Sequence, residues 1–288
     1  MDAVDRSAGV GELRWLWDRG ILDDYLCGCT RAFHACDFWQ RVLGLLAARL
    51  PAGSSPRDQA EKTAALRRRV ERLRYMPFLL RPRLAPEAYR QRLGSYRNTL
   101  RLLYQSIAAA ADARVVVDSS KEPVYAYVLA GMRDVDLRVL HLVRDSRAVA
   151  YSWQRHVSRP EIHWTEQEMR RYTAWQSASQ WNLKNGLAEL LRARGVPVSR
   201  LRYEDFVAAP GETMRGLLDD LRLPARTSPF AGDWHSVSGN PVRFRGETRA
   251  LRLDREWELR MPRGERVAVT AATAPLLLRY GYPLPVRR

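Results

Sequence analysis

Three short apolar runs constrain this chain more than any other feature, because each ends in a polar or cationic turn and gives way to a helical pattern. Arg114-Val-Val-Val117 runs into Asp118-Ser-Ser-Lys121 and a helical stretch over 122–132. Leu137-Arg-Val-Leu-His-Leu-Val143 runs into Arg144-Asp-Ser-Arg147 and another helix. A long helical segment over 165–194 leads to Val198-Ser-Arg-Leu-Arg-Tyr203, with a further helix from near Glu204. Strands alternating with helices predict an α/β fold built on a parallel sheet with flanking helices. The apolar content of the first two runs predicts strands covered on both faces.

The rest reads as helix. Short helices are expected over 12–19 and 37–50, then a break at Pro51-Ala-Gly-Ser-Ser-Pro56. Further helices are expected over 57–76 and from Pro86 to about Ala111, the latter with Leu93, Tyr96, Leu100, Leu103 and Ile107 on one face. The chain of 288 residues predicts one helix-rich domain over 1–288, with a helical insertion at about 37–111. No apolar run approaches the ~20 residues of a membrane-spanning helix, and residues 1–20 lack a signal-peptide pattern, so a cytoplasmic location is expected.

The net charge is +16, and Lys62, Lys121 and Lys184 are the only lysines among 48 basic residues. The arginines are interspersed with acids along helical patterns, as at Arg67, Arg68, Arg69, Arg72 and Arg74. No helix-turn-helix, zinc-finger or RNA-recognition pattern is present, so a small polyanionic ligand is expected rather than nucleic acid. Cys27, Cys29 and Cys36 form an odd set in a chain without a leader, which argues against a disulfide framework. With His34 they could offer a Cys3His zinc site. Cys-x-Cys is not the usual knuckle spacing, so small buried residues beside Phe33, Phe38 and Trp39 are expected, and no metal.

In a parallel α/β sheet, ligands bind beyond the carboxyl ends of the strands. Those ends carry Ser119, Ser120 and Lys121, then Arg144 and Arg147, then Tyr203. Helix starts beside them suit phosphate or sulfate. Arg144 can grip a phosphate with two donors, and Ser152 can add a hydroxyl two turns later. The bland alternative pairs Arg144 with a neighbouring acid.

Val143-Arg144-Asp-Ser-Arg-Ala-Val-Ala-Tyr-Ser152 resembles the 3′-phosphate-binding element of sulfotransferases that use 3′-phosphoadenosine 5′-phosphosulfate (PAPS). Asp118-Ser-Ser-Lys121 resembles the lysine-bearing loop facing the sulfuryl group in tyrosylprotein and bacterial members. Arg202-Tyr203-Glu204 resembles the segment whose tyrosine lies near the nucleotide. His235-Ser-Val-Ser-Gly239-Asn240-Pro-Val-Arg243, with Asp254-Arg-Glu-Trp257, resembles the loop that closes over the nucleotide. Val10-Gly-Glu12 resembles the segment supplying the catalytic carboxylate. The resemblance implies a P-loop-like sulfotransferase fold. It also implies PAPS as sulfuryl donor, Glu12 and Lys121 as catalytic residues, and Ser119, Arg144, Ser152, Tyr203, Gly239, Asn240 and Arg243 as donor-binding residues.

Family members begin with a strand, an Arg-Ser-Gly-Thr/Ser-Thr/Ser loop and a helix before the Gly-Glu segment. Eleven residues precede Glu12 here, and Arg6-Ser-Ala-Gly9 follows no expected strand. The first strand and the phosphosulfate loop are therefore expected to be absent, with a misassigned start favoured and little sulfuryl transfer by the chain as it stands. A nucleotide kinase is disfavoured because no Gly-x4-Gly-Lys-Ser/Thr occurs. The remaining alternative is a non-catalytic nucleotide- or anion-binding remnant of the fold. Trp153, Trp164, Trp175 and Trp181 fall where acceptor-facing residues are expected, and suit a phenol, a carbohydrate or a glycolipid alike.

Overall fold

A computed structural model of the chain describes residues 4–50, 55–225, 235–244 and 251–284. They form two compact units interleaved in sequence. The first comprises Met1–Leu137, Pro160–Glu166 and Leu223–Gly246; the second comprises Arg138–Arg159, Gln167–Arg222 and Glu247–Arg288.

The first unit is organised on strands β1 (Ser7–Gly11) and β2 (Val115–Asp118), paired in parallel with Ser7 opposite Val115 and Gly9 opposite Val117. Parallel neighbours need a crossover. Here it runs through helices α1 (Asp37–Ala47), α2 (Pro56–Val70), α3 (Met76–Leu80) and α4 (Glu87–Ala110). Ser55 caps α2 by accepting from the Asp58 amide while Asp58 accepts from the Ser55 amide, and Pro56 occupies the first turn. Leu93, Tyr96, Leu100, Leu103 and Ile107 are buried as their spacing requires, and α4 packs on α1 and α2. Trp17, Phe33 and Trp39 fill the same core, with Phe33 stacked on Trp39 at 5.3 Å. Helix α5 (Pro123–Ala130) follows the β2 loop.

Two features differ from the sequence expectations. A strand leads directly into Glu12, although none is expected there; Ser-Ala-Gly-Val-Gly is poor in β-forming residues, and pairing with β2 overrides that weak propensity. Residues 12–19 are a 3-10 turn at Leu13–Trp15, followed by a wider i→i+5 turn over Leu16–Leu22, in place of an α-helix.

The second unit is organised on β3 (Val139–Val143) and β4 (Val198–Arg202), parallel and in continuous register from Val139–Val198 to Val143–Arg202. Its crossover is α6 (Ser146–Ser152) and α7 (Ala174–Ala193). Helix α7 starts later than the expected 165 because Thr173 and Gln176 form a reciprocal cap there. Helices α8 (Tyr203–Ala208), α9 (Pro210–Asp220), α10 (Glu256–Arg260) and α11 (Arg263–Arg279) complete the unit, with α11 packed on α6 and α7. Val143, Trp181, Leu277, Tyr280 and Tyr282 make its core. The expectation that β3 is covered on both faces fails: Leu140 and Leu142 are 40% and 53% exposed. No helix is long and apolar enough to cross a membrane among the described residues.

Two contacts shape the carboxyl end of the β1–β2 pair. Gly11 has φ +75°, a conformation costly for any residue with a Cβ. A Cβ there would collide with the Val237 backbone. That closeness lets the Val237 amide donate to the Val10 carbonyl at 2.9 Å and the Glu12 amide donate to the Val237 carbonyl at 2.7 Å. Asp118 fixes the other turn. Its carboxylate accepts from the Ser120 amide (2.8 Å), Ser120 Oγ (2.6 Å), the Leu13 amide (3.3 Å) and Tyr104 Oη (2.6 Å). Burial nevertheless outweighs these donors and holds the carboxyl above the ordinary range.

Two measurements check this reading. Gly11→Ala is expected to lower stability in urea by at least about 1–3 kcal/mol, the cost of a left-handed non-glycine residue, with displacement of Val237 added. An effect within about 0.5 kcal/mol, the range of neutral surface changes, would contradict it. For Asp118 the raised folded value means that its protonated form stabilises the fold at low pH. That contribution is lost as pH rises from about 3.9, the unfolded value, through the folded one. In Asp118→Asn the amide oxygen can still accept from Ser120 but does not titrate. Urea unfolding of both proteins should therefore show the variant gaining on the wild type as pH rises, and a pH-independent difference would contradict the assignment.

Candidate functional site

The first unit brings the two expected catalytic side chains together. Glu12 follows β1 and Lys121 follows β2, both at the carboxyl ends of the paired strands. Lys121 Nζ donates to Glu12 Oε1 at 2.5 Å, with Glu12 12% and Lys121 67% exposed at their side chains. An ion pair that open to water on one side contributes about 0–1 kcal/mol, so stability does not account for it. Chemically it sets a proton acceptor beside a cation. The Ser119 amide donates to the Gly11 carbonyl at 2.7 Å, and Ser120 Oγ accepts from the Arg14 amide at 3.2 Å. The Lys121 loop is thus held at its root while the lysine reaches into solvent.

The segment from His235 to Phe244 runs beside Gly11 and Glu12 through Val237. Arg243 holds it together. Its Nη1 donates to the Ser236 carbonyl at 2.8 Å and to the Ser238 carbonyl, and its Nη2 donates to the Leu26 carbonyl at 3.1 Å. These bonds spend Arg243 on protein carbonyls. Arg19 Nη1 donates to Ser238 Oγ at 2.5 Å. Gly239, at φ +114°, makes the turn into Asn240, whose side is open to solvent. Trp15 carries three guanidiniums, those of Arg14, Arg19 and Arg67, within 4.6 Å of its ring centre.

In the second unit Arg144 follows β3 and lies over the Tyr203 ring at 4.9 Å, on the first residue of α8. Its Nη2 donates to Asp254 Oδ2 at 3.1 Å; the Glu256 amide and this guanidinium keep the Asp254 carboxyl below its ordinary range despite partial burial. Arg144 Nε is buried with no hydrogen-bond partner among the described residues. The acid pairing weighed from sequence is therefore real, and the guanidinium keeps a donor to spare. Asp145 caps α6 through the Arg147 amide and grips the Arg147 guanidinium at 2.9 and 2.6 Å. Arg147 stacks over Trp257 at 4.8 Å, which removes it from the ligand-binding candidates. Ser152 is the last residue of α6.

The tryptophans divide. Trp181 is buried and donates to the Arg144 carbonyl at 3.0 Å, a structural role. Trp153, Trp164 and Trp175 are exposed, Trp153 against Tyr172 and Trp164 against Tyr25. Sequence reasoning missed the anchoring role of Asp118 and the place of His235 beside the cysteines. The acidic start of Asp118-Ser-Ser-Lys121 was the available signal for the first. For the second there was none, because its partners lie some two hundred positions away. Cys27, Cys29, Cys36 and His235 place their ligand atoms within 4.8 Å of one another.

The family model described as the sulfotransferase family matches residues 40–227, more than half of the chain. A solved structure, a sulfotransferase domain from the curacin biosynthetic pathway, aligns over 99% of both chains at 14% identity with a TM-score of 0.45. No curated protein matches. With the family match spanning the two strand-and-loop elements that carry Lys121 and Arg144, the chain belongs to the sulfotransferase family.

Proposed function

We propose that the chain transfers a sulfuryl group from PAPS to a hydroxyl of a small-molecule, carbohydrate or glycolipid acceptor. The observation that carries this reading is the contact of 2.5 Å between Glu12 Oε1 and Lys121 Nζ at the ends of adjacent parallel strands. Transfer forms a bond from the acceptor oxygen to sulfur and breaks the bond from sulfur to the bridging phosphate oxygen, with loss of the acceptor's proton. Glu12 takes that proton, and Lys121 offsets the charge that develops on the bridging and leaving oxygens. Positioning and electrostatics of this kind carry phosphoryl transfer as well. For the 3′-phosphate we assign Arg144, whose unpartnered Nε leaves a donor for an anion, with Ser152. Tyr203, beneath the guanidinium, suits the nucleotide. Ser119, Gly239 and Asn240 are assigned to the donor on the family resemblance. Arg243 acts there through the loop it ties together.

Two experiments test the assignment. Arg144→Ala should weaken binding of 3′,5′-ADP by about 2–5 kcal/mol, the range for losing a buried charge-assisted partner. AMP, lacking the 3′-phosphate, should change little, and equal losses for both by calorimetry would reject the role. In a form of the protein that turns over, Glu12→Gln should lower transfer of labelled sulfuryl groups to a panel of phenols, sugars and glycolipids by about 10²–10⁴-fold, the usual worth of a general base. Its PAPS affinity should be nearly unchanged. A wild-type chain that binds 3′,5′-ADP yet sulfates none of the panel would favour the non-catalytic anion-binding alternative.

A further inference from the structure

The geometry points to a structural metal site for a single zinc ion, held by Cys27, Cys29, Cys36 and His235. All four ligand atoms lie within 4.8 Å of one another, the closeness a mononuclear tetrahedral site requires. Cys29 Sγ is 3.7 Å from Cys36 Sγ, and Cys36 Sγ is 3.3 Å from His235 Nδ1. Four ligands around zinc, at about 2.3 Å for sulfur and 2.0–2.1 Å for nitrogen, would be separated by about 3.8 Å between sulfurs and 3.6 Å between sulfur and nitrogen. A cage this tight has room for one ion and none for an iron–sulfur cluster. The sulfur separation is far outside the roughly 2.05 Å of a disulfide.

The surroundings are built for ligation. Cys27 and Cys36 are 1% exposed, so an ion among them would be shielded from water and competing ligands. The Cys27–Thr30 segment is a tight turn, with the Thr30 amide donating to the Cys27 carbonyl at 2.9 Å and Thr30 at φ +68°. That turn brings two cysteines one residue apart onto the same side, where the spacing alone predicts no site. The His235 ring stacks on Phe38 at 4.8 Å with planes 12° apart, which fixes the direction of Nδ1. His34, the fourth ligand weighed from sequence, is turned away, with Nε2 on the Ile21 carbonyl at 3.0 Å.

The site would join the cysteine turn to the segment that flanks the catalytic carboxylate. The Gly28 amide donates to the Ser236 carbonyl at 2.9 Å, and Val237 bonds to Val10 and Glu12 on either side of Gly11. Zinc would thus act as a clip that holds the 235–243 loop against Glu12, with no part in bond making. The inference stands on ligand geometry and is independent of the sulfuryl donor.

The test uses the full chain, freed of any affinity tag and purified without added metal or chelator. Elemental analysis should find one zinc per chain, released when the thiols are titrated with an organomercurial. Cobalt exchanged into the protein should give thiolate charge-transfer bands and the intense visible bands of tetrahedral cobalt. Cys29→Ser and His235→Asn should each weaken zinc retention by more than about tenfold, a loss already seen for residues that merely support a ligand. His34→Asn should retain the full amount. If the ligand variants fail to fold, the cobalt spectrum of the wild type still decides. Metal-free wild type with three free thiols, a disulfide between Cys29 and Cys36, or iron with acid-labile sulfide would each overturn the proposal. Zinc content and the cobalt spectrum need neither donor nor acceptor, so they succeed or fail apart from the PAPS reading.

Discussion

The close approach of two backbones at Gly11 is the constraint on which the first unit depends. Gly11 is flanked on one side by Val237, through bonds to Val10 and Glu12, and on the other by Ser119, whose amide donates to the Gly11 carbonyl. A peptide held from both sides cannot rotate, so the Glu12 side chain leaves the backbone in a fixed direction. Only a residue without Cβ allows the approach. The Gly-Glu pair is therefore a single device, with the glycine admitting the neighbour that orients the acid.

Among the described residues, three ion pairs lie in the interior, against many at the surface. Arg67 is bound to Asp18 at 3.0 Å, Arg14 to Glu71 at 2.5 Å, and Arg147 to Asp145, all largely out of solvent. Glu71 also accepts from Tyr96 at 2.6 Å, yet burial holds its carboxyl above the ordinary range. Removing one partner of such a pair strands a buried charge, which is why guanidinium, with its fork of donors and spare faces for aromatic rings, suits these positions better than ammonium. Lys121 is the contrast: a flexible point charge, two-thirds exposed, paired with the largely buried Glu12.

Much of the fold was legible because its signals are local. The α4 stripe, the Asp118-Ser-Ser-Lys121 turn and the strand before Arg144 each follow from residues close in sequence, and the structure has all three, the strand starting at Val139 rather than Leu137. What escaped depends on distant partners. β1 is small-residue sequence that becomes a strand only against β2. The wide turn at Leu16–Leu22 follows from packing on Phe33 and α2 and has no local signature. His34 lies beside the cysteines in sequence, and His235 lies beside them in space. Spacing rules see only the first kind of neighbour.

The interleaving of the two units sets an order of events during synthesis. The first unit draws on Leu223–Gly246, so its last pieces leave the ribosome only after most of the second unit has been made. Until then the Gly11 carbonyl side can pair with β2, but the Val237 side stands open, and an unpaired strand edge is a site for wrong partners. Contacts such as Cys36 to His235, 199 positions apart, close a very long loop and so form late. The strand that leads into Glu12 thus receives its second neighbour, at Val237, from a segment made late in synthesis.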